Sequence, residues 1–111
     1  MMAKVIWNIK NTLSGISNMN TIYCNESGFY SIYKSDRYGF NNPDKNWDNK
    51  IEFLLLGDSF VHGACVNEKD TFRSQIEKLL RGKKFNNVIS LGYSGTGPLI
   101  QLATLREYYS K

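Results

Sequence analysis

The chain has 111 residues, of which 41% are hydrophobic, 14% aromatic and 22% charged, the balance of a folded globular protein rather than a disordered or collagen-like one. That length admits one domain, burying roughly two-thirds of the surface its unfolded chain exposes. Basic residues exceed acidic ones by 14 − 10 = 4 but are spread from Lys4 to Lys111, so nucleic acid is not an expected partner, and no apolar run approaches the roughly 18 residues needed to span a membrane.

Lys4, Asn8, Lys10 and Asn11 interrupt any hydrophobic stretch near the start, so there is no clear signal peptide. Location is left open, with the cytoplasm as the default. Val5, Ile6, Ile9, Leu13 and Ile16 fall at near-helical spacing, which predicts a short amphipathic helix packed on the body or, alternatively, lying on a membrane surface. Residues 14–20 are rich in Ser, Gly and Asn and read as a loop or linker, which divides the chain into an N-terminal segment, 1–20, and a domain, 21–111. Cys24 and Cys65 have neither metal-site spacing nor the density of a disulfide scaffold, and leave compartment and redox state open.

Residues 29–34 are aromatic and β-branched enough for one short strand, and 36–44 then read as an irregular loop. Residues 51–56 are apolar apart from Glu52, the pattern of a parallel strand covered on both faces. Asp70 is placed to cap a helix with Phe72, Ile76, Leu79 and Leu80 on one face and Gly82 as its stop. Arg81, Lys83 and Lys84 follow it, where cations complement the helix dipole; a phosphate or nucleic-acid patch is the alternative.

Residues 87–91 predict a second strand, and 92–97 a second tight loop. Pro98 then suits the first position of a helix carrying Leu99, Leu102, Ala103 and Leu105 on one side, with Tyr109 extending it. Strand, loop, helix, strand, loop, helix is the start of a right-handed α/β sheet. Parallel strands would bring both glycine-containing loops to one carboxyl edge, where open α/β sheets bind ligands.

Gly57-Asp58-Ser59 places a serine in the turn after the first apolar strand. A serine hydroxyl becomes a nucleophile only when a base takes its proton and dipoles stabilise the oxyanion. Exposure at the sheet edge and nearby amides are what such a turn supplies; an ordinary strand exit with a helix cap is the other reading of these letters. Gly95 allows close backbone approach to a ligand. The loop Gly92-x-x-Gly95-x-Gly97 alternatively reads as a phosphate or nucleotide cradle, although the Lys-Ser/Thr ending of a Walker loop is absent.

Together, Gly57-Asp58-Ser59-Phe60 and Leu91-Gly92-Tyr93-Ser94-Gly95-Thr96-Gly97-Pro98 resemble the first two blocks of the SGNH, or GDSL, hydrolase family. The stretches Asp36-Arg37-Tyr38-Gly39-Phe40 and 67–72 agree with this, so the resemblance covers residues 21–111. It implies a partial three-layer α/β/α, flavodoxin-like domain with a parallel sheet, truncated after its second βα unit. It also implies Ser59 as nucleophile and oxyanion donor, Gly95 as second donor, no cofactor or metal, and an acyl, acetyl, carbohydrate or lipid ester as substrate.

The family's Gly-x-Asn-Asp and Asp-x-x-His blocks are missing, so the expectation is a fragment of a longer esterase, inactive alone. His62, three residues after Ser59, is either a substitute base or a site-rim or packing residue. Asp58 is assigned to holding the turn. Asp36 and Arg37 are either at the pocket mouth or in a surface ion pair. A non-catalytic module that self-associates through an uncovered sheet is the remaining alternative.

Overall fold

The computed structural model describes residues 14–22, 24–25 and 28–111. The amphipathic pattern of Val5, Ile6, Ile9 and Leu13 lies outside them, and Ile16, its last member, is exposed.

Among the described residues, two small sheets and three α-helices make up an α/β architecture. Strands β1 (Asn20–Ile22) and β2 (Ile32–Lys34) pair antiparallel, with Thr21 opposite Tyr33. Strands β3 (Phe53–Leu55) and β4 (Val88–Ser90) pair parallel, with Leu54 opposite Ile89. Helix α1 (Ser59–His62) follows β3, α2 (Phe72–Leu79) precedes β4, and α3 (Pro98–Tyr108) follows β4. The parallel pair and the strand–loop–helix order after residue 50 agree with the sequence expectation.

Several expectations are corrected. β1 was not foreseen, and β2 occupies only the second half of the 29–34 run, leaving Phe29 and Tyr30 exposed. Residues 14–19 are irregular, as a loop would be, and are bonded to the body: Gly15 N–H donates to Gly39 O at 3.1 Å and Asn18 N–H to Asp36 O at 3.0 Å. β3 is not covered on both faces, since Phe53 is exposed and Leu54 and Leu55 are half-buried; β4 is buried throughout. The α2 cap is Thr71, whose Oγ1 accepts from Ser74 N–H at 3.2 Å, while Asp70 ends a preceding 3-10 turn.

The core is a cluster of Phe40, Trp47, Ile89 and Leu91, against which Tyr38, Leu54 and Tyr108 pack. Tyr108 meets Phe40 edge-on at 5.0 Å, anchoring α3 at its C-terminal end, where Tyr109 instead points to solvent. The core is organised by a buried carboxylate. Asp36, fully enclosed, accepts from Tyr38 N–H and Phe40 N–H at 2.9 Å, from Asn42 Nδ2 at 2.8 Å and from Trp47 Nε1 at 2.7 Å. Buried polar groups are tolerated only when so satisfied.

Asn42 carries this network to the sheet. Its Nδ2 donates to Ser90 O at 2.8 Å and its Oδ1 accepts from Ser90 N–H at 2.7 Å, so a side chain does for β4 what a neighbouring strand would do. The irregular stretch 36–44 is thereby a wall of the core and not merely a connection. It also fixes the end of β4 from which the glycine loop emerges.

The two helix faces read as core-directed are largely uncovered. Phe72 and Leu79 on α2 are exposed, and Arg73 takes the buried position instead, held by Glu68 at 2.7 Å and by Glu77 one turn on. On α3, Leu99 and Leu102 are exposed and Thr104 is the buried residue.

Candidate active site

β3 ends at Leu55, and Gly57 makes the turn that follows. A Cβ there would lie 2.4 Å from Val61 Cγ2, so no larger residue lets α1 fold back so closely. Asp58 caps α1, its Oδ1 accepting from Phe60 N–H at 3.1 Å, and the helix stops at Gly63 in a left-handed conformation, φ 89°. Ser59 is thus the first residue of a four-residue helix, half-buried, at the carboxyl end of the parallel pair.

The second loop is bound directly to the first. Gly57 O accepts from Tyr93 N–H at 3.2 Å and from the Thr96 hydroxyl at 3.1 Å. Gly92 lies against α1, where an added Cβ would be 2.6 Å from His62 N. Gly95 sits at the exposed tip with φ 78°, next in sequence to Thr96. Ser59 and Gly95 therefore stand on adjoining loops, two residues from Gly57 and one from Thr96.

His62 is engaged elsewhere. Nε2 lies 2.8 Å from Tyr33 Oη, and Nδ1 lies 3.2 Å from both the amide and the hydroxyl of Ser94. An amide can only donate, so Nδ1 is the acceptor and the ring proton is on Nε2. Tyr93 stacks on the ring at 4.9 Å, and Asn41 Nδ2 donates to His62 O at 2.9 Å. Burial pushes the His62 pKa down to about 4, leaving the ring neutral. It pins β2, α1 and the glycine loop together, a packing role. Its neighbours Thr21, Ile22, Tyr33, Tyr93 and Ser94 form a cavity of about 250 Å³.

Arg37 forms an ion pair rather than a pocket mouth. It donates from Nε to Asp44 Oδ1 at 3.0 Å and from Nη2 to Asp48 Oδ1 at 2.7 Å, and it lines neither the His62 cavity nor the one at Ser59. Hydrogen bonding to these carboxylates raises the Arg37 pKa further, and that from Arg37 lowers the pKa of Asp44. Asp36, adjacent in sequence, belongs to the core network.

Ser59 lines a cavity of about 330 Å³ with Phe60, Ala64, Val66, Thr71 and Phe72. Its wall includes Cys65, which is disulfide-bonded to Cys24. Sequence reasoning found neither the cavity nor the bridge; the partners come together only through tertiary structure. Among the described residues, no three His, Cys, Asp or Glu side chains converge as a metal site, and no helix is long and apolar enough to cross a membrane.

Compared with protein-family models, with curated proteins and with solved structures, the chain gives no match.

Proposed function

We propose that residues 21–111 are the first part of an SGNH-type serine esterase, built on a three-layer flavodoxin-like plan of which β3, β4 and their helices are the opening units. Ser59 attacks the ester carbonyl, and its amide and that of Gly95 stabilise the oxyanion. The Ser59 proton passes to a base and then to the departing alcohol; water afterwards cleaves the acyl-enzyme and restores Ser59. The base, its orienting carboxylate and a further oxyanion donor belong to Asn-Asp and Asp-x-x-His blocks that these residues do not contain.

The observation that carries this reading is the bonding of Tyr93 and Thr96 to the Gly57 carbonyl, which brings the serine turn and the glycine loop to one edge. The uncovered Phe53, Leu99 and Leu102 add to it, since a larger sheet and its helices would bury them. The phosphate-cradle alternative loses ground because the amides of Gly92, Tyr93 and Ser94 are already spent on Ser90 Oγ, Gly57 O and His62 Nδ1.

The test is the reading frame beyond the Lys111 codon. It is expected to run on into Gly-x-Asn-Asp and Asp-x-x-His, and the resulting protein to hydrolyse p-nitrophenyl esters through Ser59. An immediate stop codon, or turnover undiminished by Ser59→Ala, overturns the proposal.

A further inference from the structure

We propose that the cavity beside Ser59 is a binding site for a short, uncharged acyl group. This rests on the esterase reading for its purpose, but the site itself is argued from its walls. Phe60, Ala64, Val66 and Phe72 supply apolar surface, and Ser59 is part of the same lining. Two of the lining residues pack tightly together, since a Cβ at Gly63 would lie 2.5 Å from Thr71 Cγ2. Two segments far apart in sequence, 24 and 65, are joined covalently at its wall.

The occupant follows from size, lining and position. About 330 Å³ lies at the lower end of the range for small-molecule sites, which suits a short chain rather than a long lipid tail. Phe60, Phe72 and Val66 are respectively 76%, 52% and 39% exposed, apolar area that a bound alkyl group would shield from water. Asp70 is also among the lining residues, and an acidic residue there disfavours an acyl group that is itself anionic. A serine in the wall puts the carbonyl end of such a chain next to the group proposed to attack it.

The experiment reads binding alone, so it needs no turnover. The ¹⁵N-labelled chain is titrated with acetamide, butyramide and succinamate, and amide resonances are followed. Shifts are expected at Ala64, Val66 and Phe72, with affinity rising roughly fourfold per methylene, or about fifteenfold from acetamide to butyramide. Succinamate is expected to leave these resonances in place. Val66→Phe, at a partly exposed position, is expected to weaken butyramide at least about tenfold, and Phe72→Ala to reduce the gain per methylene.

Shifts confined to other residues, no gain with chain length, or equal binding of succinamate would overturn the acyl site, even if Ser59 proves to be a nucleophile. The expected shifts together with an inert Ser59 would establish the site and sink the esterase reading instead.

Discussion

The Gly57 carbonyl accepts the Tyr93 amide proton at 3.2 Å, joining the turn that carries Ser59 to the loop that carries Gly95. Gly57 must itself be free of a side chain for α1 to follow so closely, because Val61 occupies the space a Cβ would take. The bond needs Gly92 to lie flat against α1. Gly57 thus lets α1 turn back over its own strand exit, and Gly92 lets the second loop close against that same helix.

Gly92→Ala should therefore act on both loops. Its Cβ would meet His62 N and Val61 Cγ1 at 2.6 Å, and overpacking of this kind costs about 1–3 kcal/mol. Urea unfolding should show that loss, and the amide resonances of residues 57–59 should move. An unchanged midpoint would contradict the tight loop contact.

Asp36→Ala should be among the most damaging single changes. It strips two backbone amides, Asn42 and Trp47 of their acceptor inside the core. Each unsatisfied buried donor costs about 1–3 kcal/mol, so a total loss above about 3 kcal/mol, or failure to fold, is expected in denaturant titration. A loss under about 1 kcal/mol would mean that the network does not organise the core.

These relationships explain what could and could not be read from the chain. The parallel pair was legible because two apolar runs each end at glycine, a local signal. The role of Asp36 was not, since its partner Trp47 is 11 residues away and Asn42 reaches Ser90 across 48. Helical periodicity named Phe72 and Leu79 as core residues, yet Arg73, neutralised by Glu68 and Glu77, is the one enclosed. For the site, the Ser59 turn and the Gly95 loop were visible as motifs. His62 could be placed only once Tyr33 and Ser94, 29 and 32 residues distant, were seen at its two nitrogens.

His62 should make stability fall in acid. The unfolded chain takes up the proton near 6.5, whereas the buried ring does so only at about 4. Unfolded chains thus bind more protons between those values, so the contribution is intact above about pH 6.5 and is lost as pH falls to about 4. The total is about 3 kcal/mol by the usual conversion. Urea midpoints measured across this window should decline, and the decline should shrink in His62→Gln; an equal decline in that variant would contradict the assignment.

The Cys24–Cys65 bridge spans a sequence separation of 41, and chain-entropy reasoning gives such a loop about 4 kcal/mol of stabilisation. Intact-mass analysis after alkylation without reductant should find no modified cysteine. Dithiothreitol, or Cys24→Ser with Cys65→Ser, should lower the unfolding midpoint. Two freely alkylated thiols in the native protein would contradict the bridge.

Exposed Leu79, Leu99 and Phe60 predict self-association of this chain when nothing else covers them. Sedimentation velocity should show the weight-average mass rising with concentration, and Leu99→Glu should reduce it. A mass constant at 12.7 kDa would instead mean that these faces remain solvated.

The central claim, that Ser59 stands where amides from both loops favour an oxyanion, is tested most directly by fluorophosphonate labelling mapped peptide by peptide. In the longer reading frame that supplies the base, Ser59 should react at least about tenfold faster than any other serine, and that advantage should disappear when the chain stops at Lys111. Labelling spread evenly over the exposed serines, or led by Ser94, would contradict it.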